Sequence, residues 1–254
     1  CRIPRKRIAI PLKDDRTFDR QIQVIVRKND VVLAVPVETK IKKHADYTGT
    51  IYVHIGSQNM FTLSNGHIYG ASLEGFTDSE TERLTWKNRE RRKMYTAYTQ
   101  SVESGNAIKA EKITVNNLGK SKYNRQKEKE RDRTTTFINT EINRMIKEEK
   151  PARIVITKPA IKNKTKIYSK AVNRKLTRSF YGYIRQRLAY KCRVHSIELT
   201  EIRAGWTSSI CSACGAEGKR QGREFVCESC GLQTAASLNA AKNIQQKYVE
   251  KTQD

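Results

Sequence analysis

The sequence predicts an α/β fold that ends in a small cysteine-bearing ribbon, and three observations predict it. Short strand-like segments come first, and a Ser64-Asn65-Gly66 turn separates two of them. Helical periodicities then alternate with short apolar runs. Two Cys-x-x-Cys pairs follow, Cys211/Cys214 and Cys227/Cys230.

The elements are read in order. Ile8-Ala9-Ile10, Ile22–Val26 and Val31–Val37 are β-branched segments separated by Asp14-Asp15 and by Lys28-Asn29-Asp30. They read as a small antiparallel β unit. A polar link from Lys40 to Gly49 leads to Ile51–Gly56, then Met60–Leu63 and His67–Gly70, which the Ser-Asn-Gly turn makes three consecutive antiparallel strands. Residues 78–133 are highly charged. Within them, Lys120–Arg133 holds seven basic and three acidic residues and reads either as a solvated helix or as a partly disordered arm. Phe137, Ile138, Ile142, Met145 and Ile146 share one helical face, which Pro151 ends. Arg153–Ile156 reads as a short buried strand. Tyr168, Val172, Leu176, Phe180, Ile184 and Leu188, spaced by four, predict a second helix, and Val194–Leu199 predicts another strand. No internal repeat is seen.

Charge narrows the function. The 254 residues carry 50 Lys and Arg against 26 Asp and Glu, a net +24, with 37% hydrophobic content. The longest apolar runs, such as Val31–Val35, are too short to span a bilayer, and Arg2, Arg5, Lys6 and Arg7 precede charged residues rather than the apolar stretch of a leader. The expected compartment is cytoplasmic. The chain opens on Cys1 rather than Met, which reads as a piece of something longer. From Pro151 to Ile197 there is no Asp or Glu, against thirteen basic residues: Arg153, Lys158, Lys162, Lys164, Lys166, Lys170, Arg174, Lys175, Arg178, Arg185, Arg187, Lys191 and Arg193. Clustering of one sign favours a polyanion, because phosphate neutralisation releases counterions. Nucleic acid is the expected partner. An anionic membrane is the weaker reading, since no apolar helix face rich in Trp, Phe and Leu accompanies the charges.

The two cysteine pairs enclose twelve residues, and Gly215 and Gly231 follow their second members. Each pair offers two thiolates from a tight turn, and four thiolates suit tetrahedral Zn²⁺. Disulfides are the alternative, with little support in a basic cytosolic chain. Four cysteines leave no open coordination position, so the expected zinc is single and structural. Cys1 and Cys192 have no pair and read as incidental.

Thr207–Gly215, the second knuckle and Leu238-Asn-Ala-Ala-Lys-Asn-Ile244 closely resemble the C-terminal half of TnpB proteins and the type V CRISPR effectors. Ile51–Met60 resembles the first motif of that family's RuvC nuclease domain, Ala152–Thr157 the second, and Thr234–Ala241 the third. The resemblance implies an RNase H-like (RuvC) mixed sheet with helices and an inserted zinc ribbon. It divides the chain into a wedge-barrel-like β segment at 1–48, a RuvC-like part at 49–206 with a charged helical stretch at 78–149, the ribbon at 207–233 and a last helix at 234–254. It implies guide RNA and target DNA as partners, with a second subunit or a transposition or regulatory protein as a further one, and a nucleoid-associated location.

The family sets one carboxylate in each motif, so that three converge on two Mg²⁺ ions. Here those positions hold His54, Thr157 and Ser237. The exchange takes the site from about −3 to about 0, and Mg²⁺, a hard ion that binds through carboxylates and waters, loses its ligands. The expectation is a nuclease-dead, RNA-guided DNA-binding protein without catalytic Mg²⁺, acting by target occupancy to repress transcription or recruit a partner. The alternatives are an active nuclease with a metal site rebuilt from acids such as Glu198 and Glu201, or a guide-free zinc-ribbon DNA-binding or assembly subunit. Among aromatics, Trp206 in a Gly205-Trp206-Thr207 loop is the candidate for base stacking.

Overall fold

In the computed structural model, residues 21–26, 31–71, 73–158, 180–203, 205 and 207–253 are described. They fall in two compact units, divided between Lys40 and Ile41. In the first unit β1 (Gln23–Val26) and β2 (Val31–Ala34) form an antiparallel ladder, Gln23 opposite Ala34. This agrees with the expected hairpin; its anticipated partner Ile8–Ile10 lies outside the described residues.

The second unit is built on a five-stranded sheet. β3 (Thr50–Ile55), β4 (Phe61–Leu63) and β5 (Ile68–Tyr69) are consecutive and antiparallel, as the turn signal requires. β6 (Arg153–Thr157) and β7 (Glu198–Ile202) extend the other edge in parallel, giving the order β5-β4-β3-β6-β7. An antiparallel hairpin joined to a parallel pair through its first strand is the mixed α/β, RNase H-like sheet that the motif order implied. Ile154, Val155 and Ile156 are all fully buried, the continuous apolar run expected of a strand covered on both faces.

Three helices leave the sheet between β5 and β6: α1 (Leu73–Glu103), α2 (Ala107–Asn117) and α3 (Ser121–Glu149). The charged stretch is therefore helical rather than disordered. Only the end of α3 has a deep apolar stripe, where Ile138, Ile142, Met145 and Ile146 bury against Val53, Ile55, Ile154 and Ile156. Lys150 takes a left-handed conformation, its amide bonding the Ile146 carbonyl, and Pro151 prevents continuation. Gly70 is fixed by space as well as by its φ of +69°: a Cβ there would lie 2.5 Å from Met60 Cβ, and its amide donates to the buried Glu141 carboxylate at 2.7 Å.

α4 (Tyr181–Val194) packs Ile184, Leu188 and Cys192 onto the same sheet face as α3. The expected start of that helix, from Tyr168, lies outside the described residues, and Phe180 forms the helix's N-terminal boundary. The strand expected at Val194–Leu199 is displaced. Helix continues to Val194, His195 caps it, Ser196 turns at φ +56°, and β7 runs from Glu198 to Ile202. The apolar Val194 and Ile197 that suggested a strand instead close the helix and its turn. The last helix, α5 (Ala236–Gln253), covers the opposite sheet face, where Ile244 meets Val155 and Ile202, and Tyr248 packs near Tyr52. Residues 41–48 hold to this second unit: the Lys42 amide bonds the Val194 carbonyl, His44 bonds His195 at 3.0 Å, and the Thr48 amide bonds the Lys150 carbonyl.

Candidate metal centre and adjoining cleft

The ribbon is a three-stranded sheet of β8 (Lys219–Gln221), β9 (Glu224–Val226) and β10 (Gln233–Ala235). Each knuckle is a tight turn of the same form. The Gly215 amide bonds the Cys211 carbonyl at 3.0 Å, the Gly231 amide bonds the Cys227 carbonyl at 2.9 Å, and both glycines sit at φ +74°. A residue with a Cβ is strained there, so the glycine after each second cysteine is what lets the pair point inward. The four sulfurs lie within 4.8 Å of one another, with Cys211 to Cys230 and Cys214 to Cys227 at 3.6 Å. Tetrahedral thiolates about 2.3 Å from zinc stand roughly 3.8 Å apart, so the donor set fits one Zn²⁺. The Cys230 and Ser229 amides favour the Cys227 thiolate and bring its pKa down to about 7. Cys192, by contrast, is buried in the main core, where burial pushes its thiol up to about 12.

Two asparagines, one helical turn apart on α5, fasten the ribbon to the sheet domain. Asn239 accepts from the Ser212 amide at 2.9 Å and donates to the Ile210 carbonyl at 2.8 Å. Asn243 donates to the Thr207 and Ile210 carbonyls at 2.9 and 2.7 Å. Both side chains are buried and all these partners are backbone groups of the first knuckle's approach. The i,i+4 spacing within Leu238–Ile244 is the signal from which this role could be read.

Beside the ribbon, the ends of β3, α4 and α5 enclose a cleft of about 740 Å³. His54 and Ser237 line it together. Thr157 lies one step beyond the Val53/Ile156 rung, on the face shared by Val155, and is outside the cleft lining. Its carbonyl accepts from Arg185 at 2.7 Å. Glu198 and Glu201 are engaged elsewhere, with Arg153 at 2.6 Å and with Arg185 respectively, and neither lines the cleft. The cleft instead receives Arg220 from β8 and Arg223 from the β8–β9 turn, which the sequence reading missed although both stand between the knuckles.

Of the thirteen basic residues of the acid-free stretch, Arg153, Lys158, Arg185, Arg187, Lys191 and Arg193 are described. Arg153 is held by Glu198 and by the Tyr248 hydroxyl, while the Lys158 side chain is exposed. Lys162, Lys164, Lys166, Lys170, Arg174, Lys175, Arg178 and Trp206 lie outside the described residues. Phe225 is fully buried in the ribbon core and offers no stacking face.

Burial and the nearby Arg220 charge together bring His54 down to a pKa of about 4. A histidine whose folded pKa is depressed binds protons more readily unfolded, so its contribution is complete above pH 6.5 and is lost as pH falls towards 4. The expected loss is about 3 kcal/mol by pH 4. Urea unfolding at pH 7 and pH 4.5 should show the wild type losing more stability than His54→Gln; equal losses would contradict the assignment.

Comparison with known proteins now adds to the geometry. Residues 181–244 match the family model described as Cas12f1-like, TNB domain. Over this segment the chain is similar to that domain family. A stretch of 74 residues is 35% identical to the CRISPR-associated endodeoxyribonuclease Cas12f1 of Sulfoacidibacillus thermotolerans, covering 28% of this chain and 18% of that protein. Among solved structures, the mini-RNA-guided endonuclease CRISPR-Cas-phi3 is similar over 82% of this chain and 47% of its own, at 15% identity and a TM-score of 0.47. The Cas12f1–sgRNA–target DNA complex is similar over 84% and 52%, at 17% identity and a TM-score of 0.45. The chain thus spans about half the length of these two structures' chains, and its match covers less than a fifth of the curated relative. The matched TNB segment runs from α4 through the ribbon into α5.

Proposed function

We propose that this protein is a nuclease-dead, RNA-guided DNA-binding protein that acts by occupying its target. The observation that carries the reading is the composition of the cleft: His54 and Ser237 stand at two of the positions where the family places carboxylates, and no Asp or Glu is among the described lining residues. Two divalent ions brought there would meet imidazole, hydroxyl and guanidinium groups, which do not offset their charge. Glu198 and Glu201 on β7 are held by arginines, and recruiting them would break both ion pairs. Binding has separate requirements. A guide–target heteroduplex is held through its backbone and shape, and Lys/Arg surfaces supply that contact. Occupancy then blocks transcription or brings a transposition or regulatory partner to the site.

Purified protein should retain guide-matched DNA in a gel shift with Mg²⁺ or Mn²⁺ present and leave it intact, and sequencing of co-purified RNA should yield one defined guide species. Cleavage that needs Mg²⁺ and survives repurification would overturn the inactive reading. DNA binding without a defined RNA would favour a guide-free zinc-ribbon protein.

A further inference from the structure

Residues 41–48, the first of the second unit, are tied to the rest of that unit at both ends. Towards β3, the Thr48 amide bonds the Lys150 carbonyl at 3.0 Å, and the Lys150 ammonium donates to the Asp46 carboxylate at 2.7 Å. At the other end the Lys42 amide bonds the Val194 carbonyl at 2.7 Å, and His44 Nε2 stands 3.0 Å from His195 Nδ1. The His44 ring is stacked between two neighbours, its centroid 4.1 Å from that of Tyr47 and 5.1 Å from that of His195. His195 in turn caps α4, its amide bonding the Lys191 carbonyl.

Two imidazole nitrogens this close share one proton, because one ring donates its N–H and the other accepts with its lone pair. The pair tolerates one added proton, since the donor ring becomes an imidazolium and still donates. A second added proton fills the lone pair and sets two N–H groups and two positive charges face to face. The surroundings sharpen that limit. Burial first, and then the charges of His44, Lys191 and Lys42, hold His195 below the usual histidine value. Lys191 is itself lowered by burial, by Arg187 and by Lys42, with Tyr190 acting against them, so the end of α4 already carries cations that repel one another. Tyr47, its hydroxyl pKa raised by burial, stays neutral. The Asp46 carboxylate, whose charge reaches His44, is already paired with Lys150. That hydrogen bond holds Asp46 below the usual carboxylate range, so its tie persists to lower pH than the histidine pair.

We infer that His44 and His195 form a proton-operated clasp, which fastens residues 41–45 to the C-terminal end of α4 while one lone pair remains between the rings and opens when both rings are protonated. The segment then stays anchored through Asp46 and Thr48 and hinges there, so that acid frees only its first half. The clasped form resists the second added proton and the released form does not. The clasp's contribution is therefore complete above the ordinary histidine pKa of about 6.5 and is lost as pH falls below it. Neither histidine lines the cleft or belongs to the ribbon, so the clasp stands apart from the proposed loss of cleavage.

Amide hydrogen exchange of the full chain, read by NMR at pH 7 and pH 5, tests the clasp. Protection is taken relative to the exchange rate of an unstructured chain at each pH, and the Lys42 amide is compared with that of Thr48. Between the two conditions the Lys42 protection should fall at least about tenfold relative to Thr48, the factor that a tenfold difference in proton affinity gives. The ratio separates the clasp from His54, whose protonation destabilises the domain as a whole and acts on both amides alike. In His44→Gln the partner no longer titrates, and the ratio should be the same at both pH values. His195→Gln should give the same result, and it carries the comparison if His44→Gln does not fold. The ring carbon resonances add a second readout: His44 and His195 should titrate in two separated steps in the wild type, and His195 in a single step nearer the ordinary value in His44→Gln. A wild-type ratio that does not change with pH would overturn the inference, as would a pH-dependent ratio that persists in both glutamine variants.

Discussion

Replacing Cys227 by Ser is expected to abolish zinc binding and to unfold residues 207–235, the largest single effect predicted for this chain. The ribbon's own apolar core is small: Cys211, Phe225, Cys227 and Ala236 are buried there, with Ala216 and Leu232 packed alongside. Two of those four buried groups are themselves ligands, so removing one loses coordination and packing together. Structural zinc sites contribute on the order of 10 kcal/mol of apparent binding free energy, far more than a core of this size offsets. Metal analysis should find a single zinc per wild-type chain and none in Cys227→Ser, and limited proteolysis should then cut within the ribbon. Cys192→Ser is the control: it lies in the core against the sheet and should keep its zinc. A wild type that folds identically after complete zinc removal would refute the structural assignment.

The second large effect is expected from Asn239→Ala. The side chain is fully buried and satisfies the Ser212 amide and the Ile210 carbonyl at once. Truncation leaves the Ser212 amide without its partner while the Ile210 carbonyl keeps Asn243, at roughly 1–3 kcal/mol. Asn239→Asp separates the two halves, because a carboxylate still accepts from Ser212 but repels the Ile210 carbonyl. Urea unfolding should therefore rank wild type above both variants, with zinc retained in each. Unchanged stability in Asn239→Ala would show that α5 does not fasten the ribbon.

These residues also mark how far sequence reasoning reaches. The strands β3 to β6, the stripe on α3 and the cysteine knuckles were legible because each rests on local signals: a two-residue alternation, a 3.6-residue period, a glycine where φ must be positive. The charged stretch Lys120–Arg133, which forms the first half of α3, was left between a solvated helix and a partly disordered arm, because composition alone does not separate the two. The β7 start was misplaced because Val194 and Ile197 are apolar for helix-end packing rather than for the sheet. Arg220 and Arg223 were overlooked for a different reason. Their place at the cleft depends on where the ribbon docks, and docking is set by Asn239 and Asn243 on a helix that follows the ribbon in the chain. Only the assembled structure joins them.

The interior rung of the sheet carries a further consequence. β3 pairs with β6, Ile51 opposite Ile154, yet α1, α2 and α3 all lie between the two strands in the chain. The hairpin of β3 to β5 is complete long before its parallel neighbour has been synthesised, and closing so long a loop costs entropy that only the final pairing returns. During translation, then, the hairpin waits with one strand edge uncovered. The helices inserted ahead of β6 set how long the nascent chain needs protection from aggregation.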